Sequence, residues 1–401
     1  MRLWIVTELY YPEMTSTGYY LTKIAEGMSK HFCVKVLCGQ PNYLARGKKA
    51  SWHEILNGVE VFRLRSTRFD KNVIPLRVLN MISFGVSVFI KALIKFRKGD
   101  KVLVVTTPPN LPFVVAVCCL AKKASYVLLI HDNYPEVLIA SGKAKPNSIF
   151  VKLINLANRW LYAKAEKVIV VGRDMLELLK RKGVDSVYIP NWAELETVEP
   201  KEKKENKLLN ELCLKNHFVF LYAGNMGHPN DLESIIDCAE ILKEHQQIHF
   251  IFLGDGAKRE WLERQVATRE LKNVTLLKPR PRTDQIDFLN ACDVGIVSLV
   301  RGMWGVSVPS RTYNLLAAGK PILAIVESGS EVDLIVKEGV GWQVEPSSAP
   351  VLAETILKIF NEREKLIDFS KRAREIALER YNLQEALKLY LEVLKGGDIG
   401  N

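Results

Sequence analysis

Short apolar runs alternate with longer amphipathic stretches along the first half of the chain. The apolar runs lie at residues 2–7, 34–37, 59–64, 101–106, 126–130, 167–171 and 187–189, and helical spacing marks 17–30 and 111–123. Strands that alternate with helices are typical of parallel βαβ units. The first half is therefore predicted to form an open, doubly wound parallel sheet.

The alternation stops at residues 190–208 and then resumes. This stretch, PNWAELETVEPKEKKENKL, is polar and charged without a period, which is typical of a linker. Apolar runs follow at 217–222, 249–253, 274–277, 294–298 and 322–325, with helical stretches at 232–245, 257–267, 309–318 and 383–394. We predict two Rossmann-like domains, 1–190 and 209–375, joined by a linker at 191–208 and facing each other across a cleft. Residues 376–401 are predicted to form a C-terminal helical segment, with packing on the first domain as one option.

Length and charge support two domains with different surroundings. A chain of 401 residues exceeds what one hydrophobic core usually supports. Residues 1–200 carry 29 Lys and Arg against 16 Asp and Glu, whereas residues 201–401 carry 27 against 29. The basic half predicts a polyanionic partner, either anionic lipid headgroups or nucleic acid, and a solvated lysine-rich surface is the alternative.

Three features bear on location. The seven cysteines form no C-x-x-C pair and lie mostly in apolar runs, which indicates buried free thiols in a reducing compartment rather than a zinc site. The N-terminus opens as a strand and lacks the apolar core of a signal peptide. The stretch 74–96 contains Arg77, Lys91 and Lys95, which favours an interfacial or domain-packing helix over a membrane span. We expect a cytoplasmic protein, peripheral on the inner face of the cytoplasmic membrane.

Candidate chemistry in the first domain follows two predicted strands. No G-x-G-x-x-G motif follows the first strand, where the chain reads YYPEMTSTGYYL. Gly18 stands at the start of a helix, where free backbone N–H groups can hold an anion; a plain N-cap at Ser16 or Thr17 is the alternative. His131 and Asp132 follow another strand, so they are candidate catalytic residues, with a turn cap as the alternative.

The second domain carries glycine-rich turns at the ends of its predicted strands. YAGNMG (222–227) and FLGDG (252–256) place Asn225, Gly254 and Asp255 where a ligand can approach the backbone. In VPSRTYN (308–314), Ser310 and Arg311 open a helix in a way that suits a diphosphate, although an exposed surface arginine is the alternative.

At these motifs the chain resembles the retaining family-4 glycosyltransferases of the two-domain GT-B fold, among them bacterial colanic-acid glycosyltransferases and O-antigen N-acetylfucosamine transferases. The resemblance extends over nearly the whole chain. It rests on YYPE, TTPP (106–109), HDNYPEV (131–137), IPNW (189–192), YAGNMG, FLGDG, VPSRTYN, LAAGKP (316–321) and GSEV (329–332), in that order.

The resemblance implies several roles. Gly18 would lie near the donor phosphates and the acceptor, and His131 would contact the donor sugar. The backbone near Gly254 and Pro281 would frame the nucleotide base, and Glu331 would meet the donor sugar and phosphates. Such enzymes need no metal or other cofactor, so protein cations would stabilise the leaving diphosphate.

The sequence departs from the family at the donor site. Two glutamates that many members use are Val306 and Asn314 here, and only Asn314 can still hydrogen-bond a ribose. The arginine and lysine that often grip the diphosphate correspond to Asn225 and Asn230. Arg311 is our candidate for the missing cation.

We therefore expect a retaining glycosyltransferase of hexosyltransferase type in surface polysaccharide biosynthesis, covering O-antigen of lipopolysaccharide, capsule and exopolysaccharide. The donor would be a nucleotide sugar, most simply a UDP-sugar, and the acceptor lipid-linked or a growing polysaccharide. A sugar-nucleotide 2-epimerase of the same architecture is the alternative. A nucleic-acid-binding protein is disfavoured because no aromatic and basic recognition motif is present.

Overall fold

The structure is a computed structural model that describes residues 1–42, 49–70 and 73–397. The chain divides into two units. Unit 1 comprises residues 1–135, 144–190 and the segment from Ala386 onward, and unit 2 comprises Glu136–Lys143 and Asn191–Glu385. Residues 398–401 of the predicted C-terminal segment lie outside the described residues.

Unit 1 is built on an eight-stranded sheet with the order β3-β4-β2-β1-β5-β6-β7-β8. Only β3 runs antiparallel to its neighbour among these strands. Its central strands are buried nearly end to end, which explains their continuous apolar runs. The strands are β1 (Arg2–Val6), β2 (Cys33–Gly39), β3 (His53–Leu56), β4 (Val59–Leu64), β5 (Lys101–Val105), β6 (Ser125–Ile130), β7 (Lys167–Val170) and β8 (Val187–Tyr188).

Unit 2 contains a six-stranded sheet with the order β11-β10-β9-β12-β13-β14, in which every pairing is parallel. Its strands are β9 (Phe218–Ala223), β10 (Ile248–Leu253), β11 (Val274–Leu277), β12 (Val294–Ser298), β13 (Ile322–Ile325) and β14 (Gly341–Val344). The prediction of two doubly wound parallel sheets is confirmed.

Helices connect the parallel strands in both units. They are α1 (Ser16–Met28), α2 (Ile74–Lys95), α3 (Leu111–Lys122), α4 (Glu136–Ala140), α5 (Ile149–Lys164), α6 (Arg173–Arg181), α7 (Lys207–Glu211), α8 (Glu233–Ile241), α9 (Arg259–Thr268), α10 (Gln285–Leu289), α11 (Arg311–Ala317), α12 (Glu331–Val336), α13 (Ala349–Asn361), α14 (Lys365–Glu379) and α15 (Leu383–Lys395). Unit 1 contains α1, α2, α3, α5 and α6, and α15 enters unit 1 at Ala386.

The segment interpreted as a linker behaves differently from a solvated connection. Residues 191–208 belong to unit 2, and within them Trp192, Glu194 and Val198 are buried. Most apolar residues of this charged stretch pack into the unit, while its other glutamates and most of its lysines are exposed. Lys203 is half-buried and forms an ion pair with Asp293. The 191–208 stretch is therefore a packed part of unit 2.

Helix α2 has two unlike faces. By length and composition, Pro75–Lys95 is the one helix of the described residues that could cross a membrane, with a mean hydropathy of 1.6 and 28% of the tested window buried. Phe84, Val88 and Ala92 form a buried stripe at spacings of four residues. Asn80, on the same stripe, exchanges two hydrogen bonds of 3.0 Å with the backbone of Phe69, so this face is fixed to unit 1.

Candidate active site

Arg311 lies at the first position of α11, where its guanidinium packs on the end of β9. Its Cζ atom is 4.2 Å from the centroid of the Tyr222 ring, and its Nη2 donates to Oδ1 of Asn230 at 3.3 Å. A guanidinium over an aromatic face gains a cation–π attraction. Burial raises the pKa of Tyr222, and the Tyr222 hydroxyl donates to the carbonyl oxygen of Asn225 at 2.6 Å. The arginine is therefore held in a defined position.

One nitrogen of this guanidinium has no hydrogen-bond partner in the described part of the chain. Nη1 of Arg311 is buried and makes no hydrogen bond to any residue that the structure describes. An arginine keeps its charge at all accessible pH values, and a buried charge without compensation is costly. A phosphate or other anion would provide the missing acceptors with the planar geometry that a guanidinium prefers.

Two glycine turns meet beside Arg311. Gly224 follows β9 and Gly254 follows β10, with φ values of +148° and +150° that L side chains rarely adopt. A Cβ at Gly254 would lie 2.0 Å from the carbonyl oxygen of Gly224, and one at Gly224 would lie 3.0 Å from Cζ of Arg311. Glycine is therefore required where the two turns cross.

Asn225 and Asp255 lie in the same pair of turns. The Asp255 carbonyl oxygen accepts the Met226 N–H at 2.8 Å, and its side chain accepts the Gly256 N–H at 2.8 Å. Both Asn225 and Asp255 are exposed. The structure thus brings four predicted donor-site residues together at the carboxyl ends of β9 and β10: Asn225, Gly254, Asp255 and Arg311.

A second cation, Lys258, lies near Asn230 and was not predicted. Its Nζ donates to the Asn230 carbonyl oxygen at 2.7 Å and pairs with Glu233 at 2.7 Å. Asn230 also donates from Nδ2 to the Asn225 carbonyl oxygen at 3.0 Å. Asn230 therefore links Lys258 to Arg311. In the sequence, its position two residues after the FLGDG motif is the signal that could have identified Lys258.

Asn314, one turn after Arg311 on α11, belongs to a buried polar cluster. Its Nδ2 donates to Oε1 of Glu194 at 2.9 Å, and Glu194 forms a two-pronged ion pair with Arg282. Oδ1 of Asn314 is buried and has no hydrogen-bond partner among the described residues. Pro281, next to Arg282, is exposed. The asparagine thus keeps one acceptor available for a hydroxyl donor such as a ribose.

Ser310 and Glu331 both lie at the N-terminal ends of short helices of unit 2. Ser310 precedes α11, and its side chain makes no capping hydrogen bond. Glu331 is the first residue of α12, and its side chain is fully buried and engaged within the protein. The position expected to meet the donor sugar is therefore a buried carboxylate in this structure.

Gly18 differs from expectation in its local role. The N-cap of α1 is Thr15 rather than Ser16 or Thr17, and its hydroxyl accepts the Gly18 N–H at 3.3 Å. That N–H is consequently not free for an anion. A Cβ at Gly18 would lie 2.2 Å from the carbonyl oxygen of Glu13, so the close approach of the preceding loop requires glycine. Gly18 lines a cavity of about 220 Å³ in unit 1.

His131 and Asp132 directly follow β6 in unit 1. Both backbone N–H groups donate to the hydroxyl of Thr106, at 3.2 and 3.4 Å. Nε2 of His131 is buried and has no hydrogen-bond partner among the described residues. Burial lowers the pKa of His131 from 6.5 to about 4, so the imidazole is neutral at pH 7. The side chain of Asp132 is engaged within the protein.

The two halves of the chain match two related family descriptions. Residues 16–192 match the glycosyl transferase 4-like domain, and residues 203–376 match the glycosyl transferases group 1. WbjE of Pseudomonas aeruginosa, named a probable glycosyltransferase, is 32% identical over 89% of both chains. The chain belongs to this glycosyltransferase family. WcaI of Escherichia coli K12, named as a glycosyl transferase of colanic acid biosynthesis, is 25% identical over 99% of this chain and 100% of its own.

Solved structures of two other proteins share the fold of this chain. Sucrose-phosphate synthase from Thermosynechococcus elongatus superposes with a TM-score of 0.80 at 14% identity, over 99% of this chain and 100% of that one. Anabaena HepE, solved in complex with UDP-glucose, has a TM-score of 0.75 at 17% identity over the same shares. The GT-B fold predicted from the motifs is confirmed.

Proposed function

We propose that this glycosyltransferase transfers a sugar from a UDP-sugar to a lipid-linked or growing polysaccharide acceptor, with retention of the anomeric configuration and without a divalent metal. The donor part of this proposal rests on Arg311, whose guanidinium lies beside two glycine turns and whose Nη1 makes no hydrogen bond to the residues that the structure describes. The complex of the fold relative HepE with UDP-glucose supports the choice of nucleotide.

In the proposed reaction, the leaving diphosphate develops negative charge as the glycosidic bond to the donor sugar breaks. Arg311, with Lys258 nearby, would neutralise this charge, and cations already in position stabilise such charge without reorganisation. Asn314 would accept a ribose hydroxyl at its Oδ1, and neutral His131 would contact the donor sugar. Pro281, Ser310 and Glu331 remain candidate donor contacts.

The biological setting proposed is surface polysaccharide biosynthesis on the inner face of the cytoplasmic membrane. WcaI carries colanic acid biosynthesis in its name, and the chain aligns with it end to end. The excess of Lys and Arg in residues 1–200 fits a surface that approaches anionic lipid, where a lipid-linked acceptor would be presented.

The test is a transfer assay with a panel of UDP-sugars and membranes that carry lipid-linked saccharides, with and without EDTA. We expect UDP release only when acceptor is present, equal rates with EDTA, and a product whose anomeric configuration, read by nuclear magnetic resonance, matches the donor. Loss of activity in EDTA with recovery in manganese would refute metal independence. A 2-epimerised sugar formed with no acceptor present would establish the alternative function, which membership of the glycosyltransferase family does not favour.

A further inference from the structure

Helix α5 of unit 1 exposes an apolar stripe that the sequence analysis did not identify. Ile149, Leu153 and Leu156 are 77%, 59% and 64% exposed, and their spacing of four and three residues places them on one side of the helix. Val151 and Leu161, which hold α5 to the unit, are buried. Trp160 continues the exposed stripe toward the end of α5.

Helix α2 exposes a similar stripe on the side opposite its buried one. Ile82, Val86, Ile90 and Ile94 are each more than half exposed and follow at spacings of four residues. Helix α3 packs against both α2 and α5 and adds exposed apolar residues between them. We call the exposed apolar residues of these three neighbouring helices the three-helix face. Exposed apolar residues repeated on three neighbouring helices indicate an interaction site.

The charges on these helices all have one sign. The segments of α2, α3 and α5 contain no Asp or Glu. Their cations are Arg77, Lys91, Lys95, Lys122, Lys152, Arg159 and Lys164. Lys91 and Lys95 lie over the Phe62 ring, on the buried side of α2, so the cations beside the exposed stripe of α5, Lys152 and Arg159, are the ones that matter most for this surface. Long basic side chains can extend to lipid phosphates while their neighbours enter the apolar layer.

We propose that the three-helix face docks on an anionic lipid bilayer, with its apolar stripes in the interface and its Lys and Arg side chains at the level of the phosphates. Amphipathic helices with apolar and basic residues bind membranes in this way. A second copy of the chain fits less well, because a symmetric contact would bring two carboxylate-free basic surfaces together. The docking deepens the proposed function by naming the surface that would bring the protein to a lipid-linked acceptor. Its biological role rests on the proposed function, whereas vesicle binding itself does not.

This surface differs from a purely electrostatic patch in its response to salt. Salt screens the attraction between Lys or Arg and lipid headgroups, but it does not weaken insertion of apolar side chains. Binding to anionic vesicles should therefore fall at high salt without disappearing. Replacing Lys152 and Arg159 by Gln should lower binding at low salt by on the order of tenfold and change it little at high salt.

The decisive experiment is co-sedimentation with phosphatidylcholine vesicles, with and without phosphatidylglycerol, at low and high salt. The test variant is Leu153→Glu with Leu156→Glu, and the matched control is Ile367→Glu with Leu378→Glu, two exposed apolar residues of α14 in unit 2. We expect the test variant to lose at least about tenfold in vesicle partitioning at both salt concentrations, with an unchanged melting temperature. The control variant should bind like the wild type.

Three results would overturn the proposal: a wild type that binds no anionic vesicles, a test variant that binds as well as the wild type, or a control variant that loses as much binding. A wild-type dimer in vesicle-free sedimentation that the test variant dissociates would assign the face to a second copy instead. Calorimetric titration of UDP into the same proteins separates the two proposals. A protein that binds UDP normally but does not bind vesicles would contradict the docking proposal and leave the donor assignment intact. A protein that binds vesicles but not UDP would contradict the donor assignment and leave the docking proposal intact.

Discussion

The Arg311 side chain is fixed before any ligand binds. Tyr222 lies under the guanidinium, Asn230 accepts a hydrogen bond from Nη2, and the absence of a Cβ at Gly224 leaves room for Cζ, Nη2 and Nε. A guanidinium that is already in position loses less conformational entropy for each hydrogen bond that it donates to a phosphate. We therefore expect Arg311 to contribute more to nucleotide binding than a mobile surface arginine could.

Replacing Arg311 by Ala should weaken UDP binding by roughly tenfold to a hundredfold, which corresponds to about 1.4–2.7 kcal/mol and is in the range of charge-assisted hydrogen bonds. Arg311→Lys should recover only part, because lysine keeps the charge and loses the planar fork. Isothermal titration calorimetry with UDP measures both. The exposed Arg301 provides the control, since Arg301→Ala should leave the affinity unchanged. Wild-type affinity in Arg311→Ala would move the diphosphate site elsewhere.

The neutral imidazole of His131 leads to a prediction about turnover. His131→Ala should lower turnover by roughly a hundredfold, about 2.7 kcal/mol, if the imidazole contacts the donor sugar in the transition state. The pKa of about 4 implies that lowering the pH from 7 to 5 does not protonate this residue in the folded protein. The exposed His53 is the control position. Near-normal turnover in His131→Ala at saturating donor would make the residue structural.

At this scale, the sequence predicts functional residues that follow a strand or open a helix, but it does not predict their distant partners. Arg311 and His131 were chosen from position and chemistry, and both carry a buried nitrogen without a partner among the described residues. Glu194 was missed because it lies 120 positions from Asn314 in the chain. Contacts of that range depend on how the segments pack, which local periodicity does not encode.

At the scale of elements, the turns after β9 and β10 combine two constraints. Gly254 has a φ of +150°, which an alanine rarely adopts, and the Cβ of an alanine there would lie 2.0 Å from the carbonyl oxygen of Gly224. The two turns would therefore have to separate in Gly254→Ala. We expect a loss of roughly 2–4 kcal/mol in unfolding free energy, together with weaker UDP binding. Chemical denaturation and UDP titration test this.

Gly142→Ala separates the two causes. Gly142 has a φ of +71° but no atom within 4 Å of an added Cβ, so only backbone strain applies there, about 1 kcal/mol. Equal losses of unfolding free energy in Gly254→Ala and Gly142→Ala would show that the close contact between the two turns adds nothing to the cost of backbone strain. A larger loss at Gly254 is expected.

The segment 191–208 provides a second prediction for an element. Glu194 is 4% exposed and is shared by Arg282 and Asn314, so Glu194→Ala removes the carboxylate that pairs with the largely buried guanidinium of Arg282. Removing one member of a buried ion pair costs about 3–5 kcal/mol. Adding Arg282→Met should restore part of this loss, as measured by denaturation of the single and double variants. Purely additive losses would mean that the two side chains do not interact.

Buried parallel strands were predictable because their apolar runs are continuous, and less regular elements were not. In β3, burial alternates between half-buried and exposed residues, so its sequence HEIL gives no apolar run. In 191–208 the abundance of Lys and Glu concealed a few buried residues, among them Trp192. Composition indicates an average environment, whereas a single tryptophan can determine where a segment packs.

At the scale of the whole molecule, the chain leaves unit 1 after Pro190 and contributes to it again from Ala386. The spacing of Leu387, Tyr390, Leu391 and Leu394 predicts one packing face for α15, but periodicity does not specify which unit that face contacts. In the structure, Leu387 lies against Gly27 of α1, where a Cβ would come within 2.5 Å of its side chain. Unit 1 is therefore completed by residues that are far from it in sequence.

This connection predicts that unit 1 depends on the end of the chain. A chain ending at Glu385 lacks three large side chains that are buried in the full-length protein, Tyr390, Val393 and Leu394, together with the small buried side chain of Ala386. At about 1.5–3 kcal/mol for each buried apolar side chain, we expect a loss of roughly 5 kcal/mol, seen as a lower melting temperature in calorimetry. A chain ending at Lys395 is the control, because it keeps all three and should melt like the wild type. Within the full-length chain, Leu387→Ala should cost less, about 1–3 kcal/mol, because this side chain is only partly buried. If the chain ending at Glu385 kept the wild-type melting temperature, α15 would contribute no stability to unit 1, and its apolar face would need another explanation.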